Sequence, residues 1–367
     1  MTLRSRILMI VLTLFVLAVA SAAIALSYDA PCGEPTAVAG DAQSMKAIVY
    51  RCYGAPEVLK LEQIPKPTAA DDEVLVKVHA ASVNPLDWHY MRGSPYIMRL
   101  GSGLGAPADI RMGVDFAGTV EAVGKNVTRF KPGDEVFGGR GGALAEYITV
   151  RESRAIVLKP ANVTFDQASS VGIAGVTALQ ALRDKGHLKP GQKVLINGVS
   201  GGVGTFAVQI AKSLGAEVTG VCSTRNVDLV RSLGADQVID YTQQNFTEGT
   251  QRYDLILDNV GNHPLLHYKR VLNPGGTVVM VGGPKGDWVG PLGRPIKGLL
   301  LEPFVDEGFI MIMAELNQAD LTVLSELMQE GKVTPVIDRR YALSEARAAI
   351  AYLEEGRARG KVVVSLE

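Results

Sequence analysis

The sequence predicts an α/β protein with a mostly-β domain and a domain built on a doubly wound parallel sheet, preceded by one hydrophobic helix. Three observations indicate this fold class. An apolar run fills residues 7–26, short strands separated by Gly and Pro follow from residue 45, and strands alternate with helices from residue 165 onward. Such alternation is typical of parallel sheets with crossover helices, and 367 residues are enough for two hydrophobic cores.

The composition narrows the functional classes. The hydrophobic fraction is 47%, the charged fraction is 20% and the net charge is -1, so the chain can build buried cores but has no general attraction to nucleic acid. The three cysteines, Cys32, Cys52 and Cys222, are widely spaced. They form neither a CxxC metal motif nor an even-numbered disulfide framework, and we expect them to be buried or incidental thiols.

The N-terminal segment is predicted to be a membrane anchor. Arg4 and Arg6 precede the apolar run, and about 20 apolar residues suffice for a helix that crosses a bilayer. A signal peptide has a shorter apolar core of about 7–15 residues, so the length favours a retained anchor. The small residues of "AVASAA" keep cleavage and export as the alternative. Residues 27–44, rich in Pro, Ala and Gly, are predicted to be a linker.

Beyond the anchor and linker of residues 1–44, the pattern predicts three folded segments. Residues 45–170 begin the mostly-β domain, with strands such as "EVLVKVHAASV" and "LAEYITV". Residues 171–318 form the parallel-sheet domain. Residues 319–367 contain two helices and the strand "GKVVVSL", which we expect to return and complete the mostly-β domain.

A glycine cluster lies between a strand and a helix of the parallel-sheet domain. Gly198, Gly201 and Gly204 follow the apolar strand "KVLIN" and open a helix with apolar positions at Phe206 and Ile210. Glycines at these points allow a tight turn, close backbone approach and close packing, and together they place a pyrophosphate on the helix N-terminus. The residues predicted to bind the cofactor here are Ser200, Gly201, Gly202, Val203 and Gly204.

The next strand ends at a position that discriminates between the two nicotinamide cofactors. A site for NADH carries an acidic residue about 20 residues after the turn, whereas this chain has Ser223, Thr224 and Arg225. Two hydroxyls and a guanidinium suit a 2′-phosphate, so the sequence favours NADPH as the cofactor. The alternative for Arg225 is a solvated arginine at a helix start.

Together these motifs resemble a known family. "MKAIVY", "ASVNPLDWHYMRG", "GVDFAGTVEAVG", "FKPGDEVFG", "GVSGGVGTFAVQIAK" and "ARGKVVV" occur in this order, as in the medium-chain dehydrogenase/reductase superfamily. The chain is most similar to the zinc-free quinone oxidoreductases, including the membrane-associated chloroplast-envelope and reticulon-interacting types. The resemblance spans residues 45–367 and implies a GroES-like catalytic domain followed by a Rossmann NADPH-binding domain.

The residue types at the zinc positions of the superfamily predict that no metal is bound. Asn84 stands where the alcohol-dehydrogenase branch has a cysteine, and "GVD", residues 113–115, replaces the segment that supplies a histidine. "GGRGGALAEY" occupies the place of the structural four-cysteine lobe. His79 and His89 are interpreted as surface or partly buried polar residues.

Without zinc, the resemblance implies reduction of a quinone or an α,β-unsaturated carbonyl by direct hydride transfer from NADPH. Two alternatives stay open: a non-catalytic NADPH-sensing or scaffold protein, and an alcohol dehydrogenase for an unknown alcohol or aldehyde. We expect a small-molecule partner, a homodimer and membrane contact through the N-terminal helix. The apolar stretch "GPLGRPIKGLLLEPFV" is expected to line the substrate pocket and touch a second copy, with lipid contact as a third possibility.

The resemblance places Asn84, Asp87 and Tyr90 beside the nicotinamide as catalytic residues. Asn84 is expected to hydrogen-bond the substrate carbonyl or a water, and Asp87 to fix its loop by accepting backbone N–H groups. Tyr90 or Tyr96 is expected to donate the proton. Turn formation alone is the alternative role of Asn84 and Asp87.

Further cofactor contacts follow from the same resemblance and from the rule that ligands bind at the carboxyl ends of parallel strands. Asn259 and Val260 are expected to end a strand at the nicotinamide ribose, and Gly282 to end the last strand. Lys361 is expected to reach a cofactor phosphate or to be a plain surface lysine. The complete additional set is Thr177, Tyr241, Asn259, Val260, Gly282 and Lys361.

The charges around the anchor predict its orientation. Two arginines precede the helix, whereas Asp29, Glu34 and Asp41 follow it, so the positive-inside rule places the enzyme outside the cytoplasmic face. NADPH is made inside. Three explanations stay open: insertion against the charge bias, a true start nearer Met45, or a nucleotide supply outside the cytoplasm.

Overall fold

The computed structural model describes residues 3–34, 43–288 and 290–366. Residues 35–42 of the predicted linker lie outside the described residues, and so does Asp41 of the charge argument. The predicted elements of both domains are present, and their bounds follow.

The strands in chain order are β1 (Ser44–Val49), β2 (Lys60–Pro65), β3 (Glu73–Val83), β4 (Asp115–Val123), β5 (Glu135–Gly139), β6 (Tyr147–Arg151), β7 (Ile156–Leu158), β8 (Lys193–Asn197), β9 (Glu217–Cys222), β10 (Gln237–Asp240), β11 (Tyr253–Asp258), β12 (Leu272–Met280), β13 (Gly308–Met311), β14 (Ile337–Ala342) and β15 (Lys361–Ser365). The helices are α1 (Leu3–Ser27), α2 (Pro85–Arg92), α3 (Arg99–Ser102), α4 (Phe165–Ser169), α5 (Gly172–Gln180), α6 (Gly202–Ser213), α7 (Val227–Ser232), α8 (Leu265–Lys269), α9 (Gly290–Leu301), α10 (Gln318–Gln329) and α11 (Ala346–Glu354).

The first domain is built on a seven-stranded sheet. Its order is β14-β15-β3-β4-β5-β7, with β6 also paired to β3. The closing strand β15 runs antiparallel to β3, with Val362 opposite Val83. The C-terminal end of the chain therefore lies beside the segment that carries Asn84.

The second domain is a six-stranded parallel sheet in the order β10-β9-β8-β11-β12-β13. The strand order reverses between β8 and β11, and this switch point is where open α/β sheets bind nucleotides. The expectation that Gly282 ends the last strand was wrong. Helix α9 crosses over to β13, an apolar "GFIM" strand that pairs in parallel with β12.

Helix α1 extends for 25 residues, and none of its residues is buried. Its most apolar 18-residue window has a mean hydropathy of 2.9. The helix is long and apolar enough to cross a membrane, and a signal sequence would pass the same test.

The chain after α1 is fixed to the first domain, and this corrects two expectations. Cys32 and Cys52 form a disulfide, whereas we expected incidental thiols; Cys222 is free and buried as expected. The backbone N–H of Ala30 donates to Gly105 O at 2.9 Å. The first part of the predicted linker is thus docked on the domain through this hydrogen bond and through the disulfide to Cys52, which follows β1.

Candidate active site

The glycine turn leaves the N-terminus of α6 open. The N-cap is Gly201, and no side chain caps the helix. A Cβ added at Gly201 would meet only Gly198 O, at 3.6 Å, whereas one at Gly204 would lie 2.5 Å from Val199 O. Gly198 has a positive φ of 74°, which favours glycine. The turn is therefore a cradle of backbone at the N-terminus of α6, where no side chain caps the helix N–H groups, and such a cradle suits a pyrophosphate.

Three side chains predicted to select the cofactor lie together at the carboxyl end of β9. Thr224 Oγ1 donates to Asp240 Oδ2 at 2.6 Å, and Arg225 is exposed with Nη2 donating to Arg357 O at 3.1 Å. Asn226 Nδ2 donates to both Ser200 Oγ and Ser223 Oγ. The glycine turn and the β9 end are thus connected, and Asp240 is a neighbour that the sequence reading did not include. Tyr241 follows it and is 59% exposed.

The loop after β11 is organised by Asp258, which is fully buried. Its carboxylate accepts N–H groups from Val260 and Gly261 and the hydroxyl of Tyr268. Arg294 of α9 makes an ion pair with it at 2.7 Å. These contacts fix the predicted nicotinamide end of the cleft.

Gly282 packs against the same loop, because a Cβ there would lie 2.1 Å from Asn259 O. Asn259 Nδ2 donates to Asn197 O at 3.0 Å, while its Oδ1 is buried without a hydrogen-bond partner. An unpaired buried oxygen at this point is an acceptor for a ligand donor.

A buried polar cluster connects the first domain to the cleft. Asn84 Oδ1 accepts from Lys361 Nζ at 2.5 Å, and Asn84 Nδ2 donates to Asp115 Oδ2 at 2.9 Å. Asp115 also accepts from Ser82 Oγ and from the backbone N–H of Ile173 in α5. Lys361 Nζ lies 3.5 Å from Asp115 Oδ2. This cluster therefore joins β3, β4, β15 and α5.

The cluster changes the expectations for Asn84 and Lys361. Lys361 is 3% exposed, so the surface alternative was wrong, and its ammonium donates to Asn84. Asn84 is 2% exposed and both ends of its amide are already bonded. Its described geometry orients a loop and does not present a free amide to a substrate.

Asp87 holds the start of α2. Its Oδ2 accepts the backbone N–H of Asn84 at 2.7 Å, which is the contact expected for loop fixation. Its Oδ1 is buried without a partner. Burial raises the pKa of Asp87 to about 7, against the hydrogen bond from Asn84.

Burial also acts on the charged pair next to it. It raises the pKa of Asp115 and lowers the pKa of Lys361, and the attraction between the two groups opposes both shifts. The cost of burying these two charges is offset by their mutual pairing and by the hydrogen bonds that Asp115 accepts.

The remaining predicted residues lie near the cluster but are engaged locally. Thr177 Oγ1 donates to Ile173 O at 2.7 Å within α5, the helix-interior role. Tyr90 packs against the core that contains Tyr50 and Tyr53. Tyr96 stacks on the guanidinium of Arg99 at 4.5 Å. None of these contacts tests a role as a proton donor.

Asp115 is the site residue that sequence reasoning missed. In the sequence, residue 115 was considered only as part of "GVD", the segment that lacks the histidine of the zinc-binding branch. Two charged residues at predicted strand positions were the available signal: Asp115 precedes the apolar run "FAGTV", and Lys361 precedes "VVV". A charge that is buried in a strand needs a partner, so the two residues could have been paired.

Comparisons with known proteins identify the family of this chain. Residues 70–161 match the alcohol dehydrogenase GroES-like domain, and residues 233–364 match the zinc-binding dehydrogenase family. A 2-methylene-furan-3-one reductase of Solanum lycopersicum is 33% identical over 358 residues, covering 93% of this chain and 84% of the relative. The chain belongs to the medium-chain dehydrogenase/reductase superfamily.

Other members of the superfamily are equally similar to this medium-chain dehydrogenase/reductase. A chloroplast quinone oxidoreductase of Triphysaria versicolor is 35% identical over 338 residues, covering 87% of this chain and 98% of the relative. A chloroplast NADPH-dependent alkenal/one oxidoreductase of Arabidopsis thaliana is 34% identical over 344 residues, covering 90% and 81%.

Among solved structures, the quinone oxidoreductase from Coxiella burnetii is 33% identical with a TM-score of 0.77. The match covers 89% of this chain and all of that one, 100%. The predicted family and the two-domain fold class are confirmed, and with them a pyridine-nucleotide-dependent oxidoreductase.

Proposed function

We propose that this protein uses NADPH to reduce quinones or α,β-unsaturated carbonyls. The observation that carries the proposal is the glycine cradle at the start of α6 facing the carboxyl end of β9, where Ser223, Thr224 and Arg225 supply two hydroxyls and a guanidinium. The carboxylate at this end, Asp240 of β10, accepts a hydrogen bond from Thr224. When bound, NADPH supplies the hydride. Relatives named as a quinone oxidoreductase and an alkenal/one oxidoreductase support this substrate class.

The donor set of the buried cluster does not fit a zinc ion. Of the family's ligand positions, Asn84 offers an amide and Asp115 a carboxylate, whereas catalytic zinc takes three protein ligands of the Cys, His or carboxylate type. The ammonium of Lys361 already lies against both side chains, and a divalent cation there would be repelled. We therefore propose hydride transfer without a metal, for which a conjugated carbonyl is the suitable acceptor.

The chain's own residues have three tasks in this proposal. The turn from Ser200 to Gly204 binds the pyrophosphate, and a Cβ added at Gly202 would lie 3.1 Å from the stem of Lys361. Arg225 interacts with the 2′-phosphate. Asn84, oriented by its two charged neighbours, and Asp87 fix the first turn of α2 against the nicotinamide.

The activity test uses the full chain purified in detergent. NADPH oxidation is followed at 340 nm with a panel of short-chain quinones, alkenals and simple alcohols or aldehydes. Turnover of quinones or enones supports the proposal. Tight NADPH binding without turnover of any compound favours the sensor alternative, and turnover of alcohols or aldehydes alone favours the alcohol dehydrogenase.

We also propose that α1 is a retained anchor with the domains on the oxidising side of the membrane. Disulfides persist in oxidising compartments, and the Cys32–Cys52 bond agrees with the orientation given by Arg4 and Arg6. A membrane-impermeant protease added to intact cells would cleave the domains. Complete protection, with both cysteines reduced in fresh extracts, would contradict this orientation.

A homodimer is proposed through the open edge of the parallel sheet. β13 ends the strand order, and its side chain Met311 and the following Met313 are 36% and 78% exposed. Unpaired strand edges pair readily with a second copy. Sedimentation of the detergent-solubilised protein measures the oligomeric state.

A further inference from the structure

We propose that an apolar corner of the first domain lies in the lipid boundary beside α1 and admits a lipid-soluble quinone or enone from the bilayer. The lipid corner consists of Tyr28, Ile97, Leu100 and Leu104. The inference rests on the proposed function for its substrate and on α1 as the membrane helix for its location.

A buried arginine connects α1 to this corner. Arg99, at the start of α3, is 1% exposed. Its Nη1 donates to the carbonyls of Leu26 and Tyr28 at 3.0 Å, and its Nη2 pairs with Asp29 Oδ1 at 2.8 Å. The last turn of α1 is thus capped by a buried guanidinium of the catalytic domain, and cations stabilise helix C-termini.

The second step is the surface that surrounds this cap. Ile97, Leu100 and Leu104 are 46%, 67% and 58% exposed, and Tyr28 is 57% exposed. A groove of about 460 Å³ runs between α1 and this surface, lined by Ile24, Ala25, Tyr28 and Leu104 among others. Clustered apolar side chains on a surface indicate an interaction site.

The occupant follows from the position of α1. If α1 crosses the bilayer, its last turn lies at the headgroups. Arg99 is bonded to that turn, so Leu100 and Leu104, which follow Arg99 closely in the chain, lie at a similar depth. Apolar side chains beside the point where a helix leaves the bilayer enter the boundary between headgroups and acyl chains, about 5–10 Å deep. Lipid acyl chains are therefore the partner that this corner fits.

The corner is close to the catalytic segment. Arg99 Nε donates to Gly93 O at 2.7 Å, and Gly93 caps the C-terminal end of α2. Asn84 begins that helix, and an eight-residue helix is about 12 Å long. Tyr96 of the same segment makes an edge contact with Trp288 of the cofactor domain at 4.8 Å. A substrate that partitions into the lipid boundary is thus about one short helix away from the candidate site.

The membrane location of the lipid corner is tested by a fluorescence measurement that requires no enzymatic turnover. The full chain carrying Leu100→Trp or Leu104→Trp is reconstituted in phosphatidylcholine vesicles with brominated acyl chains. We expect the added tryptophan emission to be quenched at least twofold more than that of Leu158→Trp, whose position is 53% exposed on β7 of the same domain. Equal quenching of the three variants would overturn the lipid corner.

The route of the substrate is tested by placing negative charges on the lipid corner. Leu100→Glu combined with Leu104→Glu is expected to raise the KM for a decyl-chain quinone in vesicles about tenfold, while the KM values for a short water-soluble quinone and for NADPH stay unchanged. Leu158→Glu is the control. Unchanged KM for the long-chain quinone, or equal changes for both quinones, overturns the route. If neither quinones nor enones are turned over, the proposed function fails, and the quenching experiment still decides the location.

Discussion

The two sides of the candidate cleft are built in different ways. The cofactor side is one contiguous turn between β8 and α6. It depends on backbone groups and on glycines, which have no side chain to fill the turn. The catalytic side joins Asn84, Asp115 and Lys361, and Asn84 and Lys361 are 277 residues apart. Substitutions should therefore change nucleotide affinity on the first side, and stability and pH dependence on the second.

The largest effect is expected from Lys361→Met. The substitution leaves the carboxylate of Asp115 buried without its cation, and breaking a buried pair in this way costs about 3–5 kcal/mol. Guanidinium unfolding should show this loss in the free energy of unfolding. The double variant with Asp115→Asn should recover part of it, because an amide needs no counter-ion. A loss well below 1 kcal/mol in the single variant would indicate that the pair is not charged.

Asp87→Asn should change how stability depends on pH. The pKa of Asp87 is about 7 in the folded chain and 3.8 as the unperturbed value, so the folded state binds more protons between these values. Stability should therefore fall as the pH rises from about 4 to about 7, and stay low above that.

The Asn variant keeps an acceptor for the Asn84 N–H and cannot ionise. Thermal unfolding at several pH values should show that this fall is reduced and that the variant is more stable than the parent at pH 8. An unchanged profile would show that Asp87 titrates near its ordinary pKa.

Gly201→Ala tests the cofactor side alone. The added methyl has open space around it in the folded chain, so the melting temperature should stay the same. The dissociation constant of NADPH, measured by calorimetry, should rise about tenfold because the methyl fills the cradle. Gly204→Ala is the contrast, since its methyl would lie 2.5 Å from Val199 O and should lower stability as well. Unchanged NADPH affinity in Gly201→Ala would exclude the turn as the pyrophosphate site.

The smallest effect is expected from Arg225→Ala. The KM for NADPH should rise severalfold, whereas the KM for NADH should change little, because only NADPH carries the 2′-phosphate. Arg231→Ala is the matched control, an exposed arginine on the same side of β9 with a side chain 65% exposed. Equal changes for both cofactors would contradict the phosphate role.

The sequence predicted the cofactor domain well because its signals are local. The glycine string, the strand before it and the amphipathic helix after it all lie within residues 193–213, and each follows from short-range geometry. The strand β13 was missed because its four residues were hidden in an apolar stretch with no turn signal of its own.

The buried polar cluster was less predictable. Asn84 and Asp87 were named, but their partners depend on β15 returning beside β3, and side-chain pairing across that distance has no sequence period. The disulfide was missed because Cys32 lies within the predicted linker of residues 27–44, and no sequence period shows that the first part of this linker docks beside Cys52.

The isolated bridge between the glycine turn and the C-terminal strand has a consequence for cooperativity. Gly201 pairs in parallel with Gly360, the residue before Lys361. Nearby, Gln209 of α6 exchanges two hydrogen bonds with the backbone of Thr334. The return segment thus contacts the nucleotide helix at Thr334 and at Gly360, while its strands β14 and β15 belong to the first sheet. The two domains should melt in a single calorimetric transition, and a nucleotide bound to one should protect both from proteolysis.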